Sequence, residues 1–137
     1  MDPVTVIGLV AGVAQLAGAA RVIVSNMYRY FDTVKDAPKH SQELRNELST
    51  ISDLLDSLCD ALDSSTTSSF TPPDSLKSAI PEFQVILEDM KLRVTESQTK
   101  GLRRLKWPFT KDENERLLSR LQRYKATFNM ALNIKSA

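Results

Sequence analysis

The chain is poor in the residues that carry chemistry. Its 137 residues hold a single cysteine, Cys59, and a single histidine, His40. One cysteine excludes an internal disulfide and suits a reducing compartment. One His with no Cys or second His at ligand spacing excludes the usual zinc patterns. No GxSxG, P-loop, HExxH or dinucleotide fingerprint occurs. These absences argue against an enzyme and against a bound metal or cofactor. Alternating β-branched runs are missing too, and only four Gly and six Pro are present, the prolines mostly at element boundaries. The fold class that remains is all-α.

Charge is absent from one long stretch. Between Pro3 and Ala20 no residue is ionisable. Eighteen helical residues extend about 27 Å, close to the ~30 Å hydrocarbon core of a bilayer. A secretory signal is not the expected reading, because the first residues carry Asp2 and no Lys or Arg. Asp2 is an expected N-cap, and Pro3 sits at the first helical position, where a missing N–H costs nothing.

The spacing favours a bundle helix over a permanent span. Val6, Leu9, Val13, Leu16, Ala20, Ile23, Met27, Tyr30 and Val34 recur at steps of three and four, one continuous apolar seam. A second seam, Ile7, Val10, Ala14, Ala17, Val24 and Phe31, is interrupted by Arg21. The remaining face, with Gly8, Gly12, Gln15, Ala19, Asn26 and Arg29, is small or polar. Gly8, Gly12 and Gly18 each cost a helix about 1 kcal/mol relative to Ala. They are therefore expected to serve close helix packing, in a bundle or, through the Gly8–Gly12 pair, in lipid.

Four helices are expected in one domain, at about 3–33, 38–64, 75–97 and 110–135. The second carries Leu44, Leu48, Ile51, Leu55, Leu58 and Leu62, with acidic residues Glu43, Glu47, Asp53, Asp56, Asp60 and Asp63 on its outer faces. Cys59 lies beside that seam as a small buried thiol. The Ser/Thr-rich run 64–71 reads as a connector. The third helix has Leu76, Ile80, Phe83, Leu87, Met90 and Val94, with a kink or a short leading turn expected at Pro81. Thr110 and Glu113 form a capping box that opens the fourth helix. Leu117, Leu121, Tyr124, Phe128 and Ala131 form its seam. Short connectors between amphipathic helices predict an antiparallel four-helix bundle.

The charges are segregated. Residues 1–99 hold eight Lys/Arg and fourteen Asp/Glu; residues 100–137 hold ten Lys/Arg and three Asp/Glu. An acidic body with a basic end can attract itself within a bundle, or offer a basic surface to anionic lipid or another acidic partner. The connector with Arg103, Arg104, Lys106 and Trp107 is the candidate headgroup or acidic-partner surface, since Trp and cations together suit a membrane interface. A near-neutral chain gives no footprint for nucleic acid.

Three segments carry a resemblance over the whole chain. Met1-Asp2-Pro3 leads into the Gly/Ala-rich apolar helix from Val4 to Val24. An acidic Leu-heptad helix follows, containing Leu44-Arg45-Asn46-Glu47-Leu48. Leu105-Lys106-Trp107-Pro108-Phe109 then precedes a basic last helix. This pattern resembles the HeLo-like N-terminal domains of fungal STAND, or NOD-like receptor, proteins, which are related to the MLKL-type four-helix bundle. The resemblance implies an N-terminal effector domain of a longer protein with NACHT or NB-ARC and repeat modules. It implies a cytoplasmic domain that self-associates on activation, moves to the plasma membrane and permeabilises it in regulated cell death, heterokaryon incompatibility or innate immunity. Val6, Leu9, Val13 and Leu16 would then be the inserting residues. A non-toxic module for homotypic protein–protein interaction is the other function that the sequence allows.

Overall fold

The computed structural model describes residues 3–33, 37–63, 73–99 and 107–136. Within them the chain forms four helices: α1 Pro3–Thr33, α2 Lys39–Asp63, α3 Asp74–Thr99 and α4 Lys111–Ser136. Asp2, the expected first cap, lies outside the described residues, as do the 64–71 connector and Arg103, Arg104 and Lys106.

Local signals explain the observed starts. The Pro38 carbonyl accepts the Ser41 backbone N–H at 3.0 Å, and the Pro73 carbonyl accepts that of Leu76 at the same distance. At the head of α4 the capping box is closed on both sides. The Glu113 N–H donates to Thr110 Oγ1 at 3.1 Å, and the Thr110 N–H donates to Glu113 Oε1 at 3.1 Å.

Pro81 does not follow a short leading turn, one of the two expectations; it lies inside a helix already begun at Asp74. Pro81 removes the N–H that would bond the Lys77 carbonyl. Both residues lie on the exposed side, where water can serve that carbonyl, so the helix continues.

Each helix gives one stripe to a common core. Val13, Ala20, Ile23 and Met27 of α1, Leu44, Leu48, Ile51, Leu55 and Leu58 of α2, Leu76, Phe83 and Met90 of α3, and Leu121, Phe128 and Ala131 of α4 are fully buried. Each buried Leu, Ile, Phe or Met contributes roughly 1.5–3 kcal/mol by leaving water. The heptad seams read from the sequence are these stripes.

Consecutive helices alternate in direction, but their neighbours are not all antiparallel. α1 packs on α2 and α3, and α4 packs on α2 and α3. Val10 lies by Cys59 while Arg21 meets Asp56, so α1 and α2 run antiparallel. Asn114 reaches His40 and Lys125 reaches Glu47, so α2 and α4 run parallel. Arg93 meets Glu113 and Glu82 meets Tyr124, so α3 and α4 are antiparallel. α2 and α3, consecutive in the chain, therefore stand diagonally across the bundle. One end of the bundle collects the C-termini of α1 and α3 and the N-termini of α2 and α4.

Candidate functional site

Two regions contain the residues singled out by the sequence: the length of α1, and the bundle end where the 107–110 segment joins α4. In α1, Leu9, Val13 and Leu16 are buried in the core. The side chain of Val6 lies outside the described residues. The seam expected to insert into lipid is thus the seam that holds the closed bundle together.

The outer faces of α1 depart from the sequence reading. Of the second seam, Ala17 and Val24 are buried and Val10 and Phe31 half-buried, whereas Ile7 and Ala14 are exposed. Gly12 and Ala19, from the small and polar face, turn toward α3 instead. The wet face runs through Ile7, Ala11, Ala14, Arg21, Val22 and Ser25. Ile7 is 69% exposed and Val22 46%. Ile7–Asp32 is long and apolar enough to cross a membrane, yet only 39% of its apolar 18-residue window is buried. This helix is more apolar on its solvent side than a closed bundle requires.

The three glycines have different surroundings. A Cβ at Gly12 would sit 3.2 Å from Cγ2 of Ile80 in α3, so this glycine does permit a close approach. Gly8 and Gly18 would meet nothing within 4 Å. Within the bundle, the crossing with α3 brings only Gly12 of the three against a neighbour. Gly18 borders an open groove of about 370 Å³ between α1 and α3.

Arg21, which interrupted the second seam, lies on the α2 side. Its Nη1 donates to both carboxylate oxygens of Asp56, at 2.5 and 2.6 Å. Arg21, the first charge along α1, is thereby matched across the α1–α2 contact.

At the aromatic end, Trp107 packs on Tyr30, Phe31 and Phe109, with ring centroids 5.4, 5.9 and 5.7 Å away. Its indole N–H donates to Asn114 Oδ1 at 2.9 Å, and Asn114 Nδ2 donates to the His40 carbonyl at 2.9 Å. Trp107 therefore faces the bundle, with its polar atom already taken. Arg93 of α3 ties down the same segment. It donates to the Pro108 carbonyl at 2.8 Å, pairs with Glu113 at 2.7 Å and lies 4.5 Å from the Phe109 ring centroid. Its hydrogen bond, joined by the Thr110 N–H, lowers the Glu113 carboxyl to about 2. Arg45 of α2 covers the rings of Tyr28 and Phe31 at 5.0 and 4.8 Å. Burial raises the Tyr30 phenol above its ordinary value.

Sequence reasoning had singled out Trp107 and the capping box but passed over Asn114 and Arg93. A lone Asn or Arg on an amphipathic helix carries no pattern; only the meeting of four helix ends gives these two their roles. Among the described residues no cluster of His, Cys, Asp or Glu could hold a metal ion.

No curated protein and no solved structure matches the chain. A family model described as pigment biosynthesis cluster protein PigL N-terminal matches residues 1–136, and the chain belongs to that family.

Proposed function

We propose that the domain is a signalling effector in which α1 serves twice, as a core helix at rest and as a membrane-entering helix once copies are clustered. The carrying observation is the solvent face of α1. It presents Ile7, Ala11, Ala14 and Val22 to water on a helix uncharged from Pro3 to Ala20, with two glycines that the bundle does not use for packing. Released from the core, such a helix is uncharged on every side from Pro3 to Ala20 and about long enough to span. Regulated cell death at the plasma membrane is the outcome that the HeLo-like resemblance adds. The family description names pigment biosynthesis, so the cell-death reading rests on the resemblance and on α1. Arg103, Arg104 and Lys106 are the residues proposed to hold anionic headgroups.

Dye release from anionic and neutral vesicles tests this, with the domain free and artificially clustered. The informative variant is Ala14→Glu, on the wet face, because a charge at Leu9 or Val13 would enter the core. Leakage by the clustered parent, lost in Ala14→Glu at unchanged helicity, supports the reading. No leakage by the clustered parent overturns it.

The second reading is a closed module that pairs with a like domain. The segregation of acidic residues on α2 and basic residues on α4 favours it.

A further inference from the structure

We infer that two copies of this chain associate through α2 of one and α4 of the other, in a single antiparallel register. The inference deepens the self-association in both readings above and rests on it. α4 carries Arg116, Arg120 and Arg123 on one exposed stripe, spaced four and three residues apart. α2 carries Asp53, Asp56 and Asp60 on one stripe, spaced three and four. Reversing one helix against the other turns the first spacing into the second. Arg123 then faces Asp53, Arg120 faces Asp56 and Arg116 faces Asp60, all within one helical length of about 11 Å.

These charges are available. Among the described residues, no ion pair uses Asp53, Asp60 or any of the three arginines. Asp56 bonds Arg21 but keeps 46% of its side chain exposed, so it can be shared between two guanidinium groups. Asp112 and Glu115 stand at the edge of the arginine stripe, lining a shallow concavity with it; they temper the field without closing the face.

One copy cannot satisfy itself. α2 and α4 run parallel, with His40 beside Asn114 and Glu47 beside Lys125. The arginines therefore stand toward the aromatic end and the aspartates beyond Glu47, toward the other. Each copy presents a basic face at one end and an acidic face at the other, so an inverted second copy brings unlike faces together. Exposed ion pairs are individually weak. The contact is suited to act when tethering raises the local concentration.

The test is a charge swap read by analytical ultracentrifugation, with helicity checked for each variant. The parent is expected to associate at concentrations on the order of a millimolar, the range that tethering produces. Association should weaken by at least about tenfold between roughly 0.05 and 0.5 M salt as the Debye length contracts. Reversing the arginines (R116E, R120E, R123E) or the aspartates (D53K, D56K, D60K) should abolish it. Mixing the two reversed proteins, or combining both sets in one chain, should restore it. Neutral R→Q and D→N sets take their place if a reversed set fails to fold, and each should then weaken association severalfold.

A monomeric parent, reversed variants that associate like the parent, or a mixture that stays monomeric overturns the register. So does a finding that the three arginines bind anionic vesicles while the parent never self-associates. Dye release separates the two ideas. Leakage by artificially clustered protein without self-association removes this contact alone. Self-association without leakage removes the membrane reading and leaves the contact standing.

Discussion

The indole N–H of Trp107 ends on Asn114 Oδ1 at 2.9 Å, and the Asn114 amide passes on to the His40 carbonyl at the same distance. One buried side chain, 1% exposed, therefore joins the segment before α4 to the first turn of α2. Asn114→Ala leaves a half-buried indole N–H without its partner and opens space under it. The expected loss is about 1–3 kcal/mol, read by urea unfolding. Trp107 emission should shift to the red in the folded variant as the ring loosens from Tyr30 and Phe31.

Acid should weaken the same end of the bundle. The folded Glu113 carboxyl lies near about 2, below its ordinary value of 4.5. A carboxyl lowered in this way stabilises the fold fully above about pH 4.5, and the contribution fades as pH falls toward about 2. Urea unfolding of the parent and of Glu113→Gln between pH 7 and pH 2 checks this. The stability gap between them should be widest near neutrality and close at the acid end.

Gly12 and Gly18 of α1 should respond differently to one extra methyl. Gly18→Ala meets open space and removes a flexible residue from a helix, so it should stabilise by about 0.5–1 kcal/mol. Gly12→Ala brings a Cβ to 3.2 Å from Ile80, so the same helical gain is offset by repacking at the α3 contact. Thermal melts of the two variants should rank Gly18→Ala above Gly12→Ala.

Adjacent positions on α1 should differ sharply in tolerance for charge. Val13 is fully buried, and Val13→Glu would place a carboxylate in the core at a cost of several kcal/mol, enough to unfold a domain of ordinary stability. Ala14 is exposed, and Ala14→Glu should change stability by no more than about 0.5 kcal/mol. Circular dichroism during urea unfolding distinguishes them.

Cys59 should be a slow thiol. Its Sγ lies 3.9 Å from the Val10 carbonyl. Burial raises its pKa, helped by the nearby charges of Asp60, Asp63 and Asp56. Thiolate is the reactive form, so alkylation near neutral pH should run well below the rate of a free thiol and reach that rate on unfolding.

Much of this was written in the linear pattern. Seams at steps of three and four named the core, because a helix places such residues on one stripe whatever surrounds it. Thr110 and Glu113 named a helix start, because a capping box is satisfied within four residues. The apolar length of α1 was equally plain. The sequence could not say which neighbour each stripe would meet. The parallel pairing of α1 with α3 and of α2 with α4 depends on how all four stripes close together. That closure brought Gly12 alone against Ile80, left Ile7 and Ala14 in water, and gave Asn114 and Arg93 their partners across the bundle end. Local chemistry determined the elements, since their hydrogen bonds and apolar spacing are short-range. The tertiary structure decided their partners, since burial counts the total area removed from water and no single segment holds that sum.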